Sequence, residues 1–171
     1  MVLKGDSCLL NNRKPFFIPD NTNEIGMTPC WILRVSRLGK EIALKFADRY
    51  YDAIAPGADF VALDLLRAAQ AAGKPWTPAL AFDYSLAVGK WSERVNETIV
   101  RDESRKELTN GRVNEWLLSP EKAIVEASKV MTIRQGDLIY IQERVAPRVV
   151  QKEEIVRVEI DGEEKLYCKI K

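Results

Sequence analysis

Ala58-Asp59-Phe60-Val61-Ala62-Leu63-Asp64-Leu65-Leu66 sets one acid inside an apolar run and a second close behind it. Ala58 to Ala62 reads as a short buried strand, and Leu65 to Ala72 as a helix stopped by Gly73, with Pro75 beyond. Pro56-Gly57, just upstream, reads as a break in the chain. An acid embedded in apolar sequence must be paired, protonated or bound to a cation if it is buried. Asp59 and Asp64 are therefore candidate functional groups, beside the plainer reading of hydrogen-bonded acids at strand ends.

Toward the N-terminus, Cys30 to Ser36 is a strand candidate, and Ala43, Phe46, Ala47, Tyr50 and Tyr51 follow helical spacing as a core stripe. The first 29 residues read as short strands and turns in which Phe16 and Phe17 are both buried. Toward the C-terminus, Thr77 to Trp91 shows few element signals, and a long loop in a compact domain is often functional. Val95 to Arg101 and Glu107 to Thr109 suggest a hairpin, with a tight turn at Asn110-Gly111.

Ser119-Pro120-Glu121 caps a helix to Val130, with Ala123, Ile124, Ala127, Val130 and Met131 as its buried stripe. Leu138 to Ile141 is a strand after Gln135-Gly136-Asp137. Glu154 to Ile160 and Glu163 to Ile170, joined by Asp161-Gly162, form the clearest hairpin. Together these predict a single domain over residues 1–171, α+β and strand-rich, with about three helices.

Composition narrows the chemistry. With 171 residues, 26 Lys+Arg against 25 Asp+Glu and a net charge of +1, no electrostatic footprint for nucleic acid or an anionic membrane is present. The absence of histidine excludes Ser-His and Cys-His nucleophile pairs, imidazole bases and His metal ligands. Cys8, Cys30 and Cys168 form no CxxC and read as buried, reduced thiols. No apolar run approaches the roughly 18 residues of a membrane span. Met1 to Asp6 lacks the order of a signal peptide, so a cytoplasmic location is expected. Asp59, Asp64 and Asp83 could offer oxygen ligands to a hard cation, although spacing alone does not bring them together.

Several segments in series resemble the fumarylacetoacetate hydrolase family, specifically its C-terminal catalytic domain. Lys4-Gly5-Asp6-Ser7-Cys8-Leu9-Leu10 is similar to the family's KPxSALL opening, and Phe16-Phe17-Ile18-Pro19 follows at the expected distance. Asp59 to Leu66 resembles its DxTARDLQ segment, and Gly73-Lys74-Pro75-Trp76 with Ala79 to Ser85 its GxPW and AKxFDGS segments. Ser119 to Tyr140 resembles its helix, LxxGDLI turn and strand. The resemblance implies a mixed β-sandwich roll and a homodimer. It also implies Mg2+- or Mn2+-dependent hydrolysis, decarboxylation or isomerisation of 2-oxo acids such as acylpyruvates.

The same resemblance implies that the chemical positions have changed. The family's Glu-x-Glu metal pair falls on Thr28-Pro29-Cys30, while its metal Asp survives as Asp59. The substrate-facing lysine falls on Leu80, and the glycine after Phe82-Asp83 is Tyr84, so Leu80, Phe82, Asp83 and Tyr84 mark the substrate pocket. The TGTP loop falls on Ile141 to Arg144, and the His-Glu motif would lie upstream of Lys4, making this a shortened, degenerate member. The expectation is a pseudoenzyme without a bound cofactor, acting as a homodimer or beside an active paralogue. The alternative keeps an altered metal site built from Asp59, Asp83 and Glu24. A third reading is a small-molecule pocket lined by Trp76, Phe82, Tyr84 and Trp91.

Overall fold

The computed structural model describes residues 1–93, 117–160 and 163–171. Two long antiparallel strands organise it, β2 (Ile25–Val35) and β3 (Tyr51–Ala62), paired along their length from Ile25 opposite Ala62 to Val35 opposite Tyr51. Outside them lie β1 (Leu9–Asn11), β4 (Leu86–Val88), β5 (Ser92–Glu93), β6 (Leu138–Gln142) and β7 (Arg148–Val149). The strand order is β1-β4-β3-β2-β6, with β5 on the edge of β3 and β7 on the edge of β2. Among the described residues, only the β1–β4 pairing in this sheet is parallel. A separate hairpin joins β8 (Ile155–Ile160) to β9 (Glu163–Lys169). The α-helices among the described residues are α1 (Leu44–Ala47), α2 (Leu63–Ala71), α3 (Thr77–Leu80) and α4 (Pro120–Val130).

Because side chains alternate across a strand, the register sorts the core into two faces. Ile25, Met27, Ala58, Phe60 and Ala62 pack on one face with Phe16 and the hairpin's Val156, Val158, Leu166 and Cys168. Phe16 stacks on Phe60 with ring centroids 4.0 Å apart. Farther along the same face, Trp31, Leu33, Val35 and Ile54 meet Ala123, Ile124 and Ala127 of α4. Each large side chain buried in this way contributes about 1.5–3 kcal/mol. The opposite face carries Cys30, Ile32, Ala55, Leu86 and Val88, with Leu138 and Tyr140 packed against them. Thr28 and Asp59 continue that second face by register.

Several local expectations change. Pro56-Gly57 does not break the chain: β3 runs through it. The Pro56 carbonyl accepts from Gly89 N–H at 2.8 Å, so its missing N–H faces the edge gap between β4 and β5, where no ladder bond is lost. A Cβ at Gly57 would sit 2.6 Å from Ile32 Cδ1, 2.9 Å from the Ala87 carbonyl and 2.9 Å from Cys30 Sγ, so close sheet packing explains the glycine. The helix read through Ala43, Phe46, Ala47, Tyr50 and Tyr51 is only α1 and a following 3-10 turn before β3 begins, because Tyr51 to Ile54 extend into the sheet. Phe46 of the supposed core stripe is exposed, as are Phe17 and Val130.

The segment 77–91 holds α3 and β4 rather than irregular chain throughout. α4 begins as expected, with the Ser119 hydroxyl accepting from Lys122 N–H. The proposed hairpin over residues 95–109 and the Asn110-Gly111 turn lie outside the described residues.

Candidate functional site

Asp59 lies on the second sheet face, 3% exposed. Thr28 stands directly opposite it on β2, and Leu86 opposite it on β4. Cys30, two residues along β2, is opposite both Gly57 of β3 and Gln142 of β6. The sheet thus brings Thr28, Cys30, Asp59, Tyr140 and Gln142 onto one surface from three strands.

Lys4 enters this surface from the N-terminal segment. A 3-10 turn over Asp6–Cys8 leads into β1, and Tyr84 N–H donates to the Ser7 carbonyl at 2.9 Å, which ties this segment to the chain just before β4. The Lys4 ammonium lies 2.8 Å from Asp59 Oδ1, and both side chains are 4% exposed. It also donates to Ser85 Oγ at 2.8 Å and to the Ser85 carbonyl at 3.2 Å. Its Nζ sits 5.8 Å from the centroid of the Tyr140 ring, within cation–π range. The other carboxylate oxygen, Asp59 Oδ2, accepts from Gln142 Nε2 at 2.7 Å.

Burial pushes the Asp59 carboxyl above its ordinary range, against the opposing pull of Lys4 and Gln142. Burial also drives the Cys30 thiol well upward, and the nearby Asp59 charge adds to it. The same two causes raise the Tyr140 phenol. Both effects favour the neutral thiol over the thiolate at Cys30. The Thr28 hydroxyl, buried beside Asp59, has no hydrogen-bond partner among the described residues.

The other sequence-derived positions disperse. Leu80 is half-buried at the end of α3. Phe82 packs against the core on the first face and tilts onto Phe16 at 6.4 Å, away from the Asp59 face. Asp83 is exposed, and Tyr84 is exposed with a left-handed backbone, φ 61°. Trp76 is also exposed, while Trp91 packs with the second face beneath Arg34, so the four aromatics line no common pocket. Glu24 is engaged by Arg67. Among the described residues, no group of three or more Cys, Asp or Glu side chains is arranged to hold a metal ion.

Asp64 proves to be a turn-forming acid. It accepts from Asn23 N–H and Leu65 N–H, each at 2.9 Å, and from the Thr22 hydroxyl. Sequence reasoning missed Lys4, Ser85 and Gln142. Gln142 carried a usable signal, since Tyr140 and Gln142 repeat at strand period on an otherwise apolar β6. Lys4 carried none, because its partner is remote in sequence.

The sequence model of the fumarylacetoacetate (FAA) hydrolase C-terminal family matches residues 1–170. The chain belongs to the fumarylacetoacetate hydrolase family. Solved family structures share the fold. A protein described as a family member from Yersinia pestis superposes with a TM-score of 0.83 at 18% identity, covering 98% of this chain and 83% of its own. The fumarylpyruvate hydrolase of Pseudomonas aeruginosa, solved with Mn2+ and pyruvate, gives 0.76 at 18% identity over 98% and 76%. The 5-carboxymethyl-2-hydroxymuconate delta-isomerase of Mycobacterium smegmatis gives 0.77 at 19% identity over 99% and 67%. At these identities the likeness establishes the fold alone. No curated protein matches the sequence.

Proposed function

We propose that this family member keeps the fold without the divalent-metal chemistry of 2-oxo acids, and serves as a binding or scaffold module. One observation carries the reading: the carboxylate expected to hold the metal, Asp59, is already met by the Lys4 ammonium at 2.8 Å. The donor set does not fit a hard divalent cation. Such an ion needs several anionic or carbonyl oxygens to offset its dehydration. Beside Asp59 stand an ammonium of like charge, an amide nitrogen that donates and a neutral hydroxyl. The buried Cys30 thiol is two residues along β2, and the charge of Glu143 acts on that thiol. No three Cys, Asp or Glu side chains among the described residues converge on one point.

Association as a homodimer, or with an active paralogue, belongs to the same proposal, as does a cytoplasmic setting. Among the described residues no helix is long and apolar enough to cross a membrane. Assays of acylpyruvate and oxaloacetate turnover with Mg2+ or Mn2+ test the reading. It expects no metal-dependent rate. A metal-dependent rate lost in Asp59→Ala would replace it with an enzyme using a rebuilt site.

A further inference from the structure

We propose that Lys4 is the built-in cation of this site, a tethered counter-ion at Asp59 in the place a divalent metal would take. The inference rests on the reading of Asp59 given above and extends it to what holds the site together. An ammonium has three N–H donors. Ser85 Oγ and the Ser85 carbonyl accept from it at 2.8 and 3.2 Å, and Asp59 Oδ1 lies 2.8 Å away as its counter-charge. Gln142 donates to the other carboxylate oxygen, so the cluster pairs one ammonium with one carboxylate, and Lys4 meets Asp59 Oδ1 as an ion pair.

Lys4 belongs to the stretch that resembles the family's opening, so the lysine itself is not what departs from the pattern. What departs is its company. With a hydroxyl at Thr28 and a thiol at Cys30, Asp59 is the carboxylate left for it. Both side chains of the pair are 4% exposed. Removing a lysine from water is costly and fixes a flexible side chain, so an uncompensated ammonium would not be held there. A buried pair of this kind contributes modestly as a whole, yet losing one partner leaves a bare charge in the interior. The site's integrity is therefore expected to depend on Lys4 and not on divalent metal.

The test is a thermal-melting cycle on the full chain with Lys4→Met, Asp59→Asn and the double variant, each with and without 5 mM Mn2+. Lys4→Met is expected to lower the melting temperature by roughly 6–20 °C. The double variant should recover at least half of that loss, because no bare charge remains. Should Lys4→Met fail to fold, a folded double variant supports the same coupling. A double variant that stays unfolded while Asp59→Asn folds overturns it.

Lys4→Ala supplies an independent reading. Millimolar n-butylammonium should raise its melting temperature, whereas tetramethylammonium, which has no N–H, should not. Additive losses in the cycle, or a Lys4→Met melt unchanged from wild type, would overturn the tethered-cation proposal and leave the metal-free reading intact. A wild-type melt raised by Mn2+, with that rise lost in Asp59→Asn, would instead sink the metal-free reading itself.

Discussion

The Thr28 hydroxyl faces Asp59 across the β2–β3 ladder, 2% exposed and without a hydrogen-bond partner among the described residues. A buried, unsatisfied hydroxyl costs about 1–3 kcal/mol relative to an apolar group of the same shape. Thr28→Val is near-isosteric and keeps the β-branched shape suited to a strand. It should stabilise the fold by about 1 kcal/mol, seen as a rise of roughly 2–4 °C in melting temperature. A loss of stability would mean that the hydroxyl is bonded after all.

Tyr84 makes a second prediction. Its φ of 61° lies in the left-handed region, and its side chain is half exposed, so little packing compensates the backbone cost. The resemblance places a glycine at this position. Comparing Tyr84→Gly with Tyr84→Ala isolates the backbone: the glycine variant should be the more stable by about 1 kcal/mol in denaturant unfolding. Equal stabilities would show that the turn relaxes without strain.

Asp64 supplies the pH dependence. Burial works to raise its carboxyl, but the bonds from Asn23 N–H, the Thr22 hydroxyl and Leu65 N–H outweigh it and hold the group below the ordinary carboxylate range. A depressed folded value adds stability above the unfolded value of about 3.9, and that stability is lost as pH falls through the folded value. Asp64→Asn should cost about 1–2 kcal/mol at pH 7. The gap from wild type should shrink as the pH drops below about 4. A gap that holds constant from pH 7 to pH 3 would rule out the charged form as the bonding partner.

Much of the fold was legible because its signals are local. The Ser119-Pro120 cap, the β8–β9 alternation and the Gly73 stop each depend on neighbouring residues, and each element forms where expected. Pro56-Gly57 misled for the opposite reason. A proline is harmless in a long strand when its N–H side meets a gap in the next strand, and that gap is a property of the sheet.

The site divides in the same way. Asp59 stood out as an acid in an apolar run, and Thr28 and Cys30 follow from strand period once the register is known. Lys4 is invisible to such reasoning, since its meaning comes from the turn that delivers it to Ser85 and Asp59. Phe82 and Tyr84 are adjacent to Asp83 in sequence, yet one packs, half-buried, against the core on the far face and the other is in solvent.

Calorimetric titration of Mn2+ into the wild-type chain, with Asp59→Ala as control, decides whether this family member does without the divalent ion. No saturable heat is expected at millimolar metal, and the two proteins should give matching traces. Saturable binding in the wild type that disappears in Asp59→Ala would contradict the metal-free reading.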